Sequence, residues 1–133
     1  MYIMFEMKEE YKLGVALIDE QHEKLFELGE SAFKLLKDSY IVDKYNKIIE
    51  VIQELSEYAA THFKDEEEYM ESINYRKLFS QKIEHAEFIK KINELDLSKI
   101  DENHDEAIMD ILSFLAKWLT EHIIEKDLLI VAK

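Results

Sequence analysis

Apolar side chains recur every three or four residues along four segments of this chain, and a histidine interrupts each apolar stripe. This period places a stripe on one face of an α-helix, so each histidine should point into the core of a helical fold. These histidines are His22, His62, His85 and His122. Burying an imidazole or a charge without a partner is costly. The pattern therefore favours a fold in which one bound group, most simply a metal cluster, satisfies polar side chains from all four helices.

The composition also favours helices. The chain has 133 residues, no proline and only two glycines, which leaves little turn chemistry for a sheet. We therefore predict an all-α fold, a single up-down-up-down four-helix bundle over residues 1–133 with an N-terminal arm. Asp19 is the predicted N-cap of the first helix. The predicted arm covers about 1–18, and the predicted helices cover about 19–38, 42–71, 75–95 and 102–131.

The balance of charges and the absence of cysteine exclude several classes of protein. With 17 basic and 30 acidic residues the formal net charge is −13, which disfavours nucleic acid and anionic membranes as partners. Without cysteine, any metal must be bound through nitrogen and oxygen. The chain has no apolar stretch near the roughly 20 residues of a membrane span, and its start lacks a signal-peptide pattern. We therefore expect a soluble, cytoplasmic protein.

Two carboxylates accompany the histidines at spacings that suit metal binding. His62 and Glu66 are one helical turn apart and share a face, whereas the rest of the acidic run 65–68 is expected to be a solvated helix surface. Asp127 follows His122 near the end of the last helix. Each of these residues alone is more simply an ordinary core or surface residue. Together, four imidazoles and two carboxylates exceed the needs of one zinc ion, and carboxylates can bridge a pair of metals.

The ligand set differs from that of the ferritin-like di-iron bundles, which use Glu-x-x-His pairs. In this chain no histidine has a glutamate three residues before it. A more specific pattern is carried by four segments, Gly14–His22, His62–Glu67, His85–Phe88 and Trp118–His122, the last followed by Asp127. In these segments the chain resembles the hemerythrin family, and the resemblance extends over essentially its whole length.

The resemblance implies two irons, bridged by an oxo or hydroxo group, in the core of the bundle. One iron would be held by His22 and His62, and the other by His85 and His122. Dioxygen would bind at an open position on the iron that has two histidines in the family. The implied ligands, with the two carboxylates bridging, are His22, His62, Glu66, His85, His122 and Asp127.

The chain departs from the family pattern at Gln81. The family has His-x-x-x-His on its third helix, and here the first of these positions is Gln81, four residues before His85. His104 lies in or near the loop before the fourth helix and is not expected to replace the missing ligand. The glutamine could bind iron weakly, hydrogen-bond a water ligand or leave a position vacant. Any of these would lower the affinity of that position for iron and favour Fe(II) over Fe(III).

A second departure lies in the arm. The family often has a tryptophan there, whereas this chain has Met4 and Phe5. Its single tryptophan, Trp118, is one turn before His122. We interpret Trp118 and Phe63 either as ordinary core residues or as an apolar wall that keeps the site dry.

These expectations define a primary functional hypothesis and two alternatives. The primary hypothesis is a non-haem di-iron protein that binds dioxygen, or another small diatomic ligand, reversibly as a carrier, store or sensor. The main alternative is a di-iron enzyme, working with a reductase or another protein partner, that acts on peroxide or nitric oxide at a site opened by Gln81. A metal-free helical interaction module is disfavoured, because its core would contain unsatisfied imidazoles and carboxylates.

Overall fold

Four antiparallel α-helices make up most of the protein. The structure, a computed structural model, describes residues 3–38, 40, 42–95 and 105–132. The helices are α1 (Ala16–Lys37), α2 (Lys44–Ser72), α3 (Leu78–Asn93) and α4 (Asp105–Glu125). The described residues contain no β-strand. The predicted all-α four-helix bundle is confirmed.

The helices pack in the order that an up-down-up-down bundle requires. α1 packs against α2 and α4, and α2 packs against α3. α3 and α4 meet through aromatic side chains, because Phe88 lies 6.2 Å from Phe114 and 4.3 Å from Trp118 between ring centroids. In the part of the chain that the structure describes, no helix is long and apolar enough to cross a membrane.

The start of α1 differs from the prediction. The helix begins at Ala16, and Val15 occupies the N-cap position without a side-chain hydrogen bond. The prediction that Asp19 caps the helix is wrong, because its carboxylate serves the arm instead. It accepts hydrogen bonds from the backbone N–H groups of Leu13, at 2.8 Å, and Gly14, at 3.0 Å. Gly14 has φ +88°, a conformation that glycine adopts without strain, and it turns the arm into the helix.

The end of α4 also differs. We predicted a helix to about residue 131, but the α-helix ends at Glu125 and a 3-10 turn covers Asp127–Ile130. In an unbroken α-helix, Asp127 would be rotated by about 140° around the axis from His122. The break at Lys126, with φ −119° and ψ −55°, removes that constraint. It allows Asp127 to enter the core, where it is 0% exposed.

The arm crosses the bundle and is held by backbone and aromatic contacts. The backbone N–H groups of Met4 and Phe5 donate to Glu30 Oε1 at 3.1 and 3.0 Å. The Phe5 ring is buried against Gly29, where a Cβ atom would overlap the ring. Phe5 thus contributes a buried aromatic ring from the arm, the region in which we noted the absence of a tryptophan.

The apolar core consists of a large and a small cluster, and a polar layer separates them. Large apolar residues from all four helices form the larger cluster. The smaller one comprises Leu13, Ile18, Met70 and Ile130. On α1, His22 lies between Ile18 of the smaller cluster and Leu25 of the larger one. The buried polar side chains therefore occupy a water-poor layer near one end of the bundle.

Candidate metal centre

The polar layer contains every ligand that the sequence analysis predicted. All of these side chains, together with two glutamines, are buried, at 6% relative exposure or less. They come from all four helices and from the 3-10 turn that follows α4. The buried polar residues are Gln21, His22, His62, Glu66, Gln81, His85, His122 and Asp127.

The two carboxylates of the layer each face histidines on two sides. Glu66 Oε2 lies 3.1 Å from His62 Nε2 and 3.4 Å from His22 Nε2. Its other oxygen, Oε1, lies 3.4 Å from His85 Nε2. A carboxylate with this orientation offers one oxygen to each of two neighbouring cations.

Asp127, in the 3-10 turn that follows α4, has the same orientation. Its Oδ2 atom lies 3.2 Å from His22 Nε2, and its Oδ1 atom lies 3.1 Å from His122 Nε2. We refer to His22 and His62 as the first histidine pair and to His85 and His122 as the second. The two residues of the second pair are also close, with 3.2 Å between their Nε2 atoms. The break after α4 is thus what gives Asp127 the same two-sided position that Glu66 has on α2.

These contacts define two groups of metal donors that share both carboxylates. In each group, four ligand atoms lie within 4.8 Å of one another. The first group is His22, His62, Glu66 and Asp127. The second group is Glu66, His85, His122 and Asp127. Imidazole nitrogen and carboxylate oxygen are a donor set that suits iron.

Several of these buried atoms have no hydrogen-bond partner among the described residues. They are His22 Nδ1 and Nε2, both oxygens of Glu66, Gln81 Oε1, His122 Nδ1 and Asp127 Oδ2. Leaving a buried polar group unsatisfied costs roughly 1–3 kcal/mol, and more when it is charged. Because most of these atoms are potential metal donors, bound cations would convert the cost into coordination bonds. The residues therefore fit the metal pair that the resemblance implies.

The buried carboxylates change the protonation of the surrounding groups. Burial alone would lower the pKa of His22, but the nearby carboxylates of Asp127 and Glu66 outweigh it and raise the pKa to about 9. Burial would also lower the pKa of His85, yet the neighbouring carboxylates raise it. For His62 burial dominates and lowers the pKa. Burial would raise the pKa of the Glu66 carboxyl, but three histidines hold it well below its usual range.

In the first histidine pair, His22 and His62, the His62 ring is oriented by a glutamine that sequence reasoning did not single out. His62 Nδ1 lies 2.8 Å from Gln21 Oε1, so the ring can donate a hydrogen bond there and keep Nε2 free for a metal. The Gln21 amide is itself fixed, because its Nε2 donates to Asp65 Oδ2 at 2.7 Å. The contact crosses from α1 to α2, so no spacing within one helix indicates it.

In the second pair, His85 and His122, a carboxylate orients His85. His85 Nδ1 lies 2.8 Å from Glu67 Oε2, whereas His122 Nδ1 lies 3.6 Å from Glu84 Oε1, which is too far for a hydrogen bond. We had assigned Glu67 to a solvated helix surface, but its side chain is only 23% exposed and contacts a candidate ligand. The one available signal was its position next to Glu66, which does not show the direction of its side chain.

Two aromatic rings cover the second pair. The Phe63 ring stacks on His85, with 4.0 Å between centroids and 8° between planes. The Trp118 ring stacks on His122 at 4.5 Å and 10°. Stacked rings keep water from these imidazoles and hold them in one orientation. Phe63 and Trp118, which we interpreted as core residues or an apolar wall, therefore do adjoin the site.

Gln81 lies in the layer but makes a contact that we had not considered. Its side chain is 2% exposed, and Nε2 donates a hydrogen bond to Asp127 Oδ1 at 3.2 Å. Its Oε1 atom has no partner within the described ranges. The hydrogen bond fixes one oxygen of a carboxylate that both donor groups share. His104, which we expected to lie away from the site, is outside the described residues.

Fold and site together define a class: a four-helix bundle with a buried, histidine-rich cluster that shares two carboxylates and could hold metal ions. Comparison with known proteins is consistent with that class. Residues 13–133 match the family model described as hemerythrin HHE cation binding domain.

Named relatives cover most of the chain. It is 48% identical to a bacteriohemerythrin of Clostridium acetobutylicum over 124 residues, which are 93% of this chain and 96% of that protein. It is 31% identical to a bacteriohemerythrin of Pseudomonas paraeruginosa, over 90% of this chain and 74% of that one. It is 30% identical to a myohemerythrin of Sipunculus nudus, over 86% of this chain and 81% of that one. The chain belongs to the hemerythrin family, which is associated with non-haem di-iron sites and dioxygen binding.

Proposed function

We propose that this protein holds two irons, bridged by an oxo or hydroxo group, and binds dioxygen reversibly. The observation that carries the proposal is the orientation of Glu66 and Asp127, each of which turns one oxygen towards each histidine pair. One metal ion would need a single cluster of donors. Two groups that share both carboxylates suit two cations, because shared anionic oxygens reduce the repulsion between them.

Each ligand has a defined place in this proposal. His22 and His62 would hold one iron, and His85 and His122 would hold the other. Glu66 would bridge the irons, as would Asp127, which belongs to both donor groups as well. When bound, the iron pair supplies the electrons that dioxygen requires for reversible binding.

The surrounding residues would protect that chemistry. The stacked rings of Phe63 and Trp118 shield two ligand imidazoles on their outer sides. Leu25 and Leu119, at 1% and 3% exposure, belong to the larger of the two apolar clusters that the layer separates. A dry site lets a small neutral molecule enter while it excludes water and the protons that would release bound oxygen in a reduced form.

A second candidate function follows from the composition of the two donor groups. Each contains two histidines and two shared carboxylates, and Gln81 donates a hydrogen bond instead of adding an imidazole. Both irons would then have room for an additional ligand. Such a site favours an enzyme that reduces peroxide or nitric oxide, with electrons from a separate reductant, over a carrier, store or sensor.

Reversibility separates these functions. The protein would be loaded with iron(II) without oxygen, exposed to air, and purged with nitrogen while its absorption spectrum is recorded. We expect an absorption band that appears with air and disappears on purging over repeated cycles. A single irreversible change, together with consumption of added peroxide or nitric oxide, would support the enzyme. No spectral change in an iron-loaded sample would contradict both.

A further inference from the structure

The two histidine pairs differ in what their outer ring nitrogens contact. In the first pair, His62 Nδ1 faces the neutral amide oxygen of Gln21 at 2.8 Å. Its partner His22 has no hydrogen-bond acceptor at Nδ1 among the residues that the structure describes. The first pair therefore lacks an anionic acceptor on the side away from the candidate metal.

In the second pair, one histidine donates to a carboxylate. Glu67 Oε2 lies 2.8 Å from His85 Nδ1, a distance that suits a charge-assisted hydrogen bond. Glu84 Oε1 lies 3.6 Å from His122 Nδ1, which is too far for a hydrogen bond, and Glu84 Oε2 lies 3.7 Å from Lys126 Nζ. Both glutamates are partly exposed, at 23% and 29%, so that water offsets part of the cost of keeping them charged near the core.

This difference affects how strongly each histidine donates electrons to a metal. An imidazole whose Nδ1–H donates to a carboxylate has a more basic Nε2 atom than one that donates to an amide, and it is held in the required tautomer. The effect applies to His85, because Glu67 accepts its hydrogen bond, whereas His122 Nδ1 has no hydrogen-bond partner among the described residues.

This anionic acceptor belongs to the histidine pair beside which Gln81 stands where the family has a third histidine. We propose that Glu67 offsets the loss of that imidazole by strengthening the donation from His85. The inference rests on the proposed iron pair and concerns how one of its two positions is held. Glu67 is then a positioning residue that acts through His85. At the other metal position, the neutral amide of Gln21 accepts the equivalent hydrogen bond from His62.

Glu67→Gln is the sharpest test, because it keeps a hydrogen-bond acceptor of similar volume and removes the charge. The measurement is the affinity for each of two equivalents of iron(II), titrated anaerobically into the metal-free protein. We expect Glu67→Gln to weaken one equivalent by roughly 10–100-fold and to leave the other nearly unchanged. The matched control is Glu68→Gln, which changes the same charge at the next, exposed position of α2. It should leave both affinities unaltered.

A double-mutant cycle separates compensation from a merely structural role. If Glu67 replaces the contribution of an imidazole, Glu67→Gln should cost much less in a Gln81→His background, within roughly twofold of no effect. Mössbauer spectra of the iron-57 proteins should show only one of the two iron environments altered by Glu67→Gln. Thermal unfolding of the metal-free variants checks that the fold is intact.

The outcomes are distinguishable from those of the proposed function. If the unaltered protein takes up two irons but Glu67→Gln matches Glu68→Gln, the compensation is contradicted and the iron pair stands. An equal loss in the Gln81 and Gln81→His backgrounds also contradicts it, because Glu67 would then orient His85 regardless of the missing imidazole. If the unaltered protein takes up no iron, both proposals fail.

Discussion

Glu66 and Asp127 have the same orientation in the core, with one oxygen of each facing His22, at 3.4 and 3.2 Å, and the other facing the second histidine pair. They reach it by different routes. Glu66 is in the interior of α2, whereas Asp127 follows the end of α4 in a 3-10 turn. The relationship predicts that loss of either carboxylate affects both metal positions.

We first predict that Glu66→Ala lowers iron binding to at most one iron per chain. The reason is that the substitution removes an oxygen from each donor group and leaves three histidines around an empty volume. The measurement is iron per chain by elemental analysis after loading and desalting. Glu68→Ala, at an exposed position of the same helix, is the control and should keep two irons. Two irons retained in Glu66→Ala would show that Glu66 does not bridge.

Our second prediction concerns Gln81→His. An additional imidazole should bind the iron of His85 and His122 more tightly and prolong the life of the oxygenated form, because it occupies a position that is otherwise open. The decay of the absorption band in air measures that lifetime. Equal iron affinity and equal lifetime in the parent and the variant would remove the support for the enzyme function.

A relationship between two site residues could be predicted from the sequence when both residues lie on the same helix. His62 and Glu66 are one turn apart on α2, and periodicity alone placed them on one face. The four buried histidines likewise followed from the apolar stripes. Asp127 was associated with the site because it follows His122 closely, but the route by which it enters the core was not predicted, since the apolar period does not show the break at Lys126.

Contacts between side chains of different helices could not be predicted from the sequence. Gln21 faces His62 from α1, and Glu67 faces His85 from α2. A single sequence gives the face of a helix on which a side chain lies, but not the rotation and height of the neighbouring helix. The N-cap prediction for Asp19 was wrong for a similar reason. Its carboxylate accepts hydrogen bonds from backbone N–H groups of the arm, and the position of the arm relative to the helix does not follow from the sequence.

Our third prediction concerns protons. At pH 7 the His22 imidazole of the metal-free protein is protonated, because its pKa is raised to about 9. Iron must displace that proton, so the affinity for iron should rise with pH up to about 9, by up to about tenfold per unit for one proton. Titration calorimetry at pH 7 in two buffers with different ionisation enthalpies measures the protons released. Release of no proton would contradict a role for His22 as a ligand.

Our fourth prediction concerns the arm. Gly29→Ala should destabilise the metal-free protein by about 1–3 kcal/mol, because the new methyl group would overlap the Phe5 ring and displace the arm. Without that overlap, alanine in a helix interior would stabilise it by about 1 kcal/mol. The free energy of unfolding from denaturant titration is the measurement. Ser31→Ala, at an exposed position of α1, is the control. Greater stability of Gly29→Ala would show that Phe5 does not pack there.

Our fifth prediction is that His104→Ala leaves the iron content and absorption spectrum unchanged. His104 lies outside the predicted apolar stripes, and all six proposed ligands are accounted for without it. Iron analysis of the purified variant beside the parent is sufficient. Loss of iron from His104→Ala would show that the ligand assignment around Gln81 is wrong.

The central claim, that this buried cluster is built to hold two irons, is tested most directly by adding iron(II) anaerobically to the metal-free protein while thermal unfolding is followed. Metal that binds only the folded chain stabilises it, by about 2.7 kcal/mol at a free concentration of one hundred times the dissociation constant. We predict a rise in Tm that is complete at two irons per chain. An unchanged Tm, with no iron retained after desalting, would contradict the account.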